Sequence, residues 1–441
     1  MQNTENLLSV ISLKKYFPMP KRSFFQRERP YLRANDGISL DIRRGETFGL
    51  VGESGSGKST LGRTVLQLQK PTGGETIYFG QNLWETPPKY VKETLQNTRT
   101  YKALYDENKR DDERFLRATR VLGGWLTTPK ETLDRAVGLM TELINGKPVL
   151  EKLDLLKTPF LSSESFQELE SRRLDGIDLT RLTKEELREK RRDLQIVFQD
   201  PYSSLNPRMT IGQIIEEGVA THRLFRRGTK EMREYLIDVL QSCGLQAYAL
   251  HRYPHQFSGG QRQRVCIARA LALKPKFVVC DECVSALDVS IQSQILNLLS
   301  ELKEKSGLTY LFISHDLSVV RHIADRIGVL YLGKIVEIGD AERVFSRPLH
   351  PYTIALISAV PSMETDSGDG ERIWLNGQMP SAVAPPSGCP FHPRCFMAQE
   401  ICKSVVPPNV EVEKGRFCRC HFADVDTEEK KRLAKLKRRG E

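Results

Sequence analysis

Short runs of apolar residues alternate with stretches of helical spacing along much of this chain. Thr47–Val51 ("TFGLV") is such a run and predicts a short strand. The apolar spacing that follows predicts a helix ending at about Leu68. A second apolar run ends in Asp281, and a third comes shortly before His315. The chain therefore contains both strands and helices around these runs.

Two other stretches give local predictions. Arg326–Gly339 has two apolar runs, which predicts a hairpin turning at Gly333-Lys334. Residues 82–173 are highly charged at first, and four apolar residues then recur at helical spacing before Asn145-Gly146, namely Leu133, Val137, Met140 and Ile144. Thr128-Pro129-Lys130-Glu131 before them has the form of a capping box with proline at the first helical position. We therefore expect a helical hairpin or a small helical subdomain here.

The loop after the first strand carries the strongest chemical signal. Gly52–Ser59 ("GESGSGKS") matches G-x-x-x-x-G-K-[ST] between a strand and a helix, which is the context that a phosphate-binding loop needs. Glycines let backbone N–H groups converge on phosphate oxygens at the positive end of a helix. Lys58 is expected to reach the outer phosphates, and Ser59 to ligate Mg²⁺ through its hydroxyl.

Two carboxylates follow the second apolar run. Asp281 at the end of a buried strand can hold Mg²⁺ through water, and Glu282 can orient and deprotonate an attacking water. This pattern is weak by itself. Two glycines, Gly259 and Gly260, begin a long helix just upstream, where N–H groups and the helix dipole favour an anion. One chain has no obvious second anion for this position.

Composition narrows the class of protein. The 441 residues are 39% hydrophobic and 28% charged, as in ordinary globular proteins, and contain no run of about eighteen apolar residues that would predict a transmembrane helix. The N-terminus does not have the pattern of a secretory signal. The net charge of +10 fits an acidic membrane surface or nucleic acid, although dispersed surface lysines are the simpler explanation. Lys430–Glu441 is basic and predicts a frayed terminal helix.

The nine cysteines fall into two groups. Four are scattered and are expected to be packing residues: Cys243, Cys266, Cys280 and Cys283. Five cluster near the end: Cys389, Cys395, Cys402, Cys418 and Cys420. In a cytosolic chain, such clustering points to a metal rather than to disulfides.

The motifs closely resemble, in serial order, those of the ATP-binding subunits of ABC transporters. Ser258-Gly259-Gly260-Gln261 resembles the family's signature, which binds the γ-phosphate of the partner subunit's ATP and so accounts for the second anion site. Gln199 resembles the glutamine-loop residue, Ser285–Asp288 the D-loop, His315 the switch histidine and Tyr16 the aromatic residue that stacks on adenine. Cys283-Val284 departs from the proline that often follows Asp-Glu, and an exposed thiol there would make the site sensitive to oxidation.

The resemblance implies a fold, a site and domain boundaries. The fold is α/β: a P-loop core with an antiparallel β-subdomain and a helical subdomain around the signature. Catalysis is assigned to Glu282 as the base, with His315 and Gln199. The residues expected to bind ATP and Mg²⁺ are Tyr16, Gly52, Glu53, Ser54, Gly55, Ser56, Gly57, Lys58, Ser59, Thr60, Gln199, Ser258, Gly259, Gly260, Gln261 and Asp281, with Ser59, Gln199 and Asp281 at Mg²⁺. The domains expected are an ATPase domain (1–81 and 174–345), a helical insertion (82–173), a cysteine-containing extension (346–425) and a basic tail (426–441). The insertion is either a tolerated surface addition or a docking surface.

Three stretches resemble the oligopeptide/dipeptide importer branch, in particular its F-type subunit: "FQDPYSSLNPRMTIGQII", "DVSIQSQILNLL" and "LHPYTIALISAVP". That branch carries an extension with "PPSGCPFHPRC", which resembles a four-cysteine iron–sulfur site. The resemblance favours Cys389, Cys395, Cys402 and Cys420 over Cys418, because Cys-His is the family pattern. Four thiolates suit a [4Fe–4S] cluster or zinc, with His392 and His421 as alternative ligands.

The resemblance also implies partners and a location. These are a second ATPase subunit, D-type in this branch, two membrane permease subunits and, indirectly, an extracytoplasmic substrate-binding protein, at the cytoplasmic face of the membrane. No nucleic acid is expected. A soluble ABC ATPase acting on nucleic acid or the ribosome remains the alternative, as does a nickel complex or an oligosaccharide as cargo. The presence of Glu282 and His315 disfavours a regulatory subunit without hydrolysis.

Overall fold

A computed structural model describes residues 5–21, 29–360, 372–375 and 377–439, with the side chains of 436–439 left aside. The last two residues of the expected basic tail therefore lie outside the described part. The chain divides into two compact units. The smaller unit contains the residues up to Leu8 and Thr76–Glu189, and the larger contains Ser9–Glu75 and the chain from Lys190 onward.

The strands are β1 (Asn6–Pro18), β2 (Tyr31–Arg43), β3 (Thr47–Val51), β4 (Gly73–Tyr78), β5 (Ile177–Asp178), β6 (Leu194–Val197), β7 (Phe277–Asp281), β8 (Thr309–Ile313), β9 (Arg326–Tyr331), β10 (Lys334–Asp340), β11 (Val410–Glu413) and β12 (Arg416–Cys418). The helices are α1 (Lys58–Val65), α2 (Lys89–Gln96), α3 (Thr98–Asp106), α4 (Glu113–Leu122), α5 (Lys130–Ile144), α6 (Leu150–Lys157), α7 (Glu164–Glu170), α8 (Lys184–Lys190), α9 (Pro201–Ser204), α10 (Ile211–Thr221), α11 (Lys230–Ser242), α12 (Gly259–Leu271), α13 (Val289–Ser306), α14 (Leu317–Ile323), α15 (Ala341–Ser346), α16 (Pro351–Ser358), α17 (Glu400–Ser404) and α18 (Thr427–Arg439).

The core of the larger unit is an eight-stranded sheet in the order β11-β12-β10-β9-β3-β8-β7-β6. The strands from β9 to β6 are parallel, whereas β10, β12 and β11 continue the sheet in antiparallel pairs. Every residue of β3, β7 and β8 is buried, as expected for parallel strands covered on both faces. The apolar runs therefore predicted the central strands correctly. The carboxyl ends of these three strands meet at one edge, where ligands bind in open α/β sheets.

Two element ends differ from expectation. Helix α1 ends at Val65 rather than near Leu68, because Gln67 adopts φ +56° and the Leu68 amide bonds the Arg63 carbonyl. The predicted hairpin is β9–β10, but Lys334 pairs with Tyr331. The turn is therefore Leu332-Gly333, one residue earlier than expected, with φ +46° and +73° as in a type I′ turn.

The C-terminal extension is built into the same sheet. Strands β11 and β12 form a hairpin, and β12 pairs with β10 so that Cys418 lies opposite Glu337. The carboxylate of Glu337 bonds the buried guanidinium of Arg416 at 3.2 Å. The predicted terminal helix is α18, but its Lys430 is buried and donates to the carbonyl of Leu349 at 2.8 Å. Part of the basic tail is therefore packed rather than frayed.

The smaller unit contains helices α2–α7 and most of α8, so the expected helical subdomain is present. The rings of Trp125 and Phe166 pack edge to face at 5.9 Å in its core. The capping box expected at Thr128 does not form: the Thr128 hydroxyl donates to the Trp125 carbonyl at 2.8 Å, and Pro129 occupies the N-cap of α5. Asn145-Gly146 ends the helix as predicted, with φ +83° at Gly146.

A smaller sheet lies near the N-terminus. Within the larger unit, β1 lies between β2 and β4, and within the smaller unit the end of β4 pairs antiparallel with β5. None of the helices in the described ranges is long and apolar enough to cross a membrane.

Candidate active site

The loop after β3 has a conformation that its glycines permit. Gly57 has φ +105°, and a Cβ there would lie 2.1 Å from the Ala34 carbonyl oxygen. The buried side chain of Asn35 donates to the Gly57 carbonyl at 3.1 Å. A residue of β2 that the sequence motif does not include thus anchors the loop.

Lys58 is buried beneath this loop, with 4% of its side chain exposed. Its Nζ donates to the carbonyls of Gly52 and Glu53 at 2.8 and 2.9 Å and lies 4.0 Å from Glu282 Oε1. Burial lowers the pKa of Lys58, although Glu282, Asp281 and Glu53 oppose the shift. The ammonium is therefore satisfied by the loop itself and is in place for the phosphates of a nucleotide.

Asp281 ends β7 and is 1% exposed. Its Oδ2 lies 3.4 Å from Nη2 of Arg63, while Oδ1 is buried without a hydrogen-bond partner. A buried carboxylate oxygen without a partner requires an explanation, and carboxylate and hydroxyl oxygens are the ligands that Mg²⁺ prefers. Asp281 and the Ser59 hydroxyl therefore fit the expected Mg²⁺. Arg63 was missed at the sequence level, since nothing in its spacing links it to Asp281.

Glu282 follows Asp281 directly, and other candidate residues lie around its carboxylate. It adopts φ +49°, which is uncommon for a residue with a Cβ, and its amide donates to the Ile313 carbonyl at 3.0 Å. Its Oε2 lies 2.9 Å from Nε2 of Gln199 and 3.3 Å from Nδ1 of His315. The structure thus brings Lys58, Gln199 and His315 around one carboxylate.

The sheet explains this convergence. Gln199 follows β6, Glu282 follows β7 and His315 follows β8, and these three strands are parallel neighbours. Their carboxyl ends therefore deliver the three side chains to one edge. Asp316 caps α14 by accepting from the Ser318 amide at 2.8 Å, which fixes the chain directly after His315.

Tyr16 lies in β1 with its hydroxyl donating to the Asp36 carboxylate. Burial and then this hydrogen bond raise the pKa of Tyr16 to about 12. Asp36 also lies 3.1 Å from Lys334, and the Arg33 guanidinium lies over the Tyr16 ring at 5.9 Å. The hydroxyl is therefore occupied and Arg33 lies over one face of the half-buried ring, so the expected contact with adenine would use the rest of the ring surface.

The signature residues lie apart from this cluster. Ser258 is the N-cap of α12 and forms a capping box with Gln261, at 3.3 and 3.1 Å. Ser258, Gly259 and Gln261 are exposed. In the described ranges, no hydrogen bond or ion pair joins Ser258–Gln261 to the phosphate loop. The structure therefore does not bring these two predicted parts of the site together within one chain.

The departure at Cys283 has a packing explanation. Cys283 is 2% exposed and belongs with Cys280, Cys266 and Cys243 to the main hydrophobic core. Burial raises the pKa of Cys243 to about 12 and of Cys266 to about 11. All four are packing residues, as expected. The condition for an oxidation-sensitive site, an exposed thiol at Cys283, is not met.

The five clustered cysteines lie in two neighbouring groups, and Cys420 contacts both of them. Burial raises the pKa of Cys389 to about 11 and of Cys395 to about 12, and the charges of Cys420 and Cys402 add to both shifts. Backbone amides of Met397 and Phe422 donate to the sulfurs of Cys395 and Cys420 at 3.3 and 3.4 Å. Cys418 lies in β12 in a cluster with Leu349 and Ala423, and Cys420 packs against that cluster.

The arrangement of these side chains does not itself show a metal site. Among the described residues, no three histidine, cysteine or acidic side chains form a group that could hold a metal ion as they stand. Each of the two alternative ligands uses one ring nitrogen in a hydrogen bond with a backbone carbonyl. His392 Nδ1 lies 2.9 Å from the Cys389 carbonyl, and His421 Nε2 lies 3.0 Å from the Val405 carbonyl. The donor chemistry fits a thiolate-bound metal, whereas the side-chain arrangement lacks the geometry of a formed site.

Comparison with known proteins identifies the family. The model of the "ABC transporter" family matches residues 35–143 and 161–285, and that of "Oligopeptide/dipeptide transporter, C-terminal region" matches 336–402. This chain belongs to the ATP-binding subunits of ABC transporters, a family that hydrolyses ATP. The P-loop fold and the activity implied by the resemblance are thereby confirmed, as is the importer branch rather than a soluble ATPase acting on nucleic acid.

Relatives match over nearly the whole chain. The oligopeptide transport ATP-binding protein AppF of Bacillus subtilis is 39% identical over 95% of this chain and 98% of its own length. The dipeptide transport ATP-binding protein DppF of Haemophilus influenzae is 38% identical over 95% of this chain and 97% of its own length. Among solved structures, the dimeric bacterial ABC transporter cassette MJ0796 is similar over 76% of this chain and 98% of its own, with a TM-score of 0.48 and 22% identity.

Proposed function

We propose that this chain powers the import of oligopeptides or dipeptides by hydrolysing ATP in a dimer of ATPase subunits. The observation that carries the chemical part is the convergence of Gln199 and His315 on one oxygen of Glu282, with Lys58 at its other oxygen. A carboxylate held by two polar side chains at the carboxyl edge of a parallel sheet can orient a water molecule and accept its proton.

Each residue has a separate role in this proposal. Lys58 and the amides of Gly52–Ser59 bind the phosphates, and Tyr16 contacts the adenine. Ser59, Asp281 and Gln199 are the residues that hold Mg²⁺, which supplies positive charge to the outer phosphates when bound. Glu282 accepts the proton of the attacking water at its carboxylate. His315 positions that water and the γ-phosphate, and Gln199 transmits the state of the nucleotide to a membrane subunit.

The signature supports a site shared between two chains. Ser258–Gln261 presents exposed groups at the start of α12 and makes no hydrogen bond or ion pair with the described part of its own phosphate loop. Two subunits packed head to tail would place this helix start against the partner's ATP. Closure of the dimer then assembles the complete site, and hydrolysis reopens it. The proposed second subunit is a related D-type chain.

The remaining partners follow from the branch of the family. They are two membrane permease subunits, with an extracytoplasmic binding protein acting through them, so the chain is placed at the cytoplasmic face of the membrane.

The relatives named for oligopeptide and dipeptide transport support peptides as cargo over nickel complexes or oligosaccharides. Uptake of labelled peptides, nickel complexes and oligosaccharides by cells lacking the gene tests this. Loss of peptide uptake, restored by the wild-type chain and not by Lys58→Ala, is the expected result, and unchanged peptide uptake contradicts the cargo.

We also propose the domain boundaries given by the sequence, with 82–173 as a helical insertion. Support comes from the aromatic core of Trp125 and Phe166 in the smaller unit. A chain lacking 82–172 is expected to keep MgATP binding and turnover, because the cluster around Glu282 lies in the larger unit. Undiminished transport and regulation in that variant would exclude the alternative that the insertion is a docking surface.

We propose further that Cys389, Cys395, Cys402 and Cys420 bind a metal, with a [4Fe–4S] cluster favoured over zinc. Support comes from the charges of Cys402 and Cys420, which after burial help to raise the pKa of Cys389 and Cys395, and from the amides that donate to the sulfurs of Cys395 and Cys420. The role is structural: the extension has little core of its own, and metal binding would add folding free energy.

A further inference from the structure

Arg394, inside the cysteine-containing stretch "GCPFHPRC", reaches the phosphate loop. Its Nη1 lies 3.0 and 3.1 Å from the two carboxylate oxygens of Glu53, the second residue of that loop. The two residues are 341 positions apart, so this contact has no local signal in the sequence. The Arg394 side chain is 7% exposed and that of Glu53 is 29% exposed. An ion pair that is mostly shielded from water is less screened by salt than a surface pair.

A second contact from the C-terminal part of the chain holds the backbone of Glu53. The Glu53 amide donates to the hydroxyl of Tyr352 at 2.9 Å. Phe391 packs against the rings of Tyr331 and Tyr352 at 5.1 and 5.4 Å, and Arg394 lies over the Tyr331 ring at 5.9 Å. Both the side chain and the backbone of Glu53 are thus fixed by residues outside the nucleotide-binding motif.

The charge of Glu53 makes this contact relevant to nucleotide binding. A carboxylate in a loop that binds phosphate groups repels them unless a cation neutralises it. The charge of Lys58 also acts on Glu53, but its Nζ donates to the backbone carbonyls of Gly52 and Glu53 rather than to the carboxylate. Among the residues that the structure describes, Arg394 is the cation that forms an ion pair with the Glu53 carboxylate.

We propose that Arg394 is a positioning residue for the nucleotide site: it neutralises and orients Glu53 and thereby keeps the loop ready to bind the phosphates of MgATP. The C-terminal extension then contributes directly to nucleotide affinity. This role does not depend on a metal at the thiols. It rests on the proposed function of Gly52–Ser59 as the nucleotide site.

A double-mutant cycle in the full chain tests the proposal, with MgADP binding measured by calorimetry so that no nucleotide is consumed. Arg394→Gln is expected to weaken MgADP binding on the order of tenfold, because it leaves the Glu53 charge unpaired. Glu53→Gln is expected to bind as tightly as wild type or tighter. Adding Glu53→Gln to Arg394→Gln should restore affinity to within about threefold of wild type. The loss in Arg394→Gln should also shrink at about 1 M salt.

Unchanged affinity in Arg394→Gln, or a loss that Glu53→Gln does not relieve, would overturn the proposal. Lys403→Gln is the control, because Lys403 lies in the same extension and pairs only at the surface with Glu400. If Arg394→Gln does not fold, the cycle is run with Arg394→Lys, which keeps the charge and loses the planar geometry. Failure of the wild-type chain to bind MgADP would instead refute the proposed function.

Discussion

The Nε2 of Gln199 lies 2.9 Å from Oε2 of Glu282, so a side chain after one strand donates to the carboxylate after the next. A hydrogen bond to a charged group contributes about 1.5–3 kcal/mol, which corresponds to roughly 10- to 100-fold in rate. We therefore expect Gln199→Ala to lower ATP turnover by that factor. Gln241→Ala is the matched control, because Gln241 is exposed on α11. Wild-type turnover in Gln199→Ala would show that the contact has no part in hydrolysis.

Asp281 gives a prediction about magnesium. Its Oδ1 is buried without a partner, which leaves a carboxylate oxygen for the ion. Asp281→Asn keeps the shape and removes the charge, so the Mg²⁺ concentration that supports half-maximal ATP turnover should rise about 10- to 100-fold. Asp238→Asn, at an exposed position, should leave it unchanged. An unaltered Mg²⁺ requirement in Asp281→Asn would remove this residue from the metal site.

A comparison of Gly57, in the phosphate loop, with Gly228, outside it, distinguishes the effect of backbone strain from that of steric crowding. Both have positive φ, +105° and +74°, but only at Gly57 would a Cβ meet another atom, at 2.1 Å. Each alanine substitution should lower the free energy of unfolding by about 1–3 kcal/mol through strain, measured by urea denaturation. Only Gly57→Ala should also lose MgADP binding. Equal nucleotide affinity in the two variants would contradict the role of this close approach.

The cysteine-containing extension gives a prediction about metal content. After purification without oxygen, we expect iron and sulfide in matching amounts, about four of each. Cys420→Ser should lose them and Cys418→Ser should keep them, because the charge of Cys420 acts on both Cys389 and Cys395. One zinc and no iron would make the site a structural zinc clip. No metal in any preparation would contradict the proposed ligand set.

The same thiols give a prediction about pH. Burial raises the pKa of Cys389 to about 11 and of Cys395 to about 12, above the value of about 8.5 for an unfolded thiol. At pH values between about 8.5 and the raised pKa values, the folded metal-free state therefore binds more protons than the unfolded state. The stability from these neutral thiols is complete below pH about 8.5 and is lost as pH rises through 11 to 12. Urea denaturation of the metal-free chain across this range measures the loss, which Cys389→Ser and Cys395→Ser should reduce. An equal loss in those variants would assign it to other groups.

The positions of the candidate site residues could largely be predicted from the sequence, because several of them follow apolar strands of a parallel sheet. The strand before Gly52 and the strand ending at Asp281 both have apolar runs, and chemistry at strand ends is a local pattern. The resemblance to a known family assigned Gln199, His315 and Glu282 to one site, but their convergence follows from a strand order that only the structure shows.

Contacts between distant segments could not be read in this way. Arg63 with Asp281, Asn35 with Gly57 and the joining of β12 to β10 depend on packing that no spacing records. The prediction of a capping box at Thr128 was wrong for a related reason, because the Thr128 hydroxyl donates to the Trp125 carbonyl instead. The helix α1 ended early because Gln67 took a conformation usually associated with glycine.

The most direct test of the account is the ATP turnover of purified Glu282→Gln, with Glu301→Gln as the control, since Glu301 forms an exposed ion pair on α13. If Glu282 accepts the proton of the attacking water, turnover should fall by about 100-fold or more. The variant should still bind ATP and should be trapped as a closed dimer. Turnover near the wild-type rate in Glu282→Gln would contradict the assignment of Glu282 as the base.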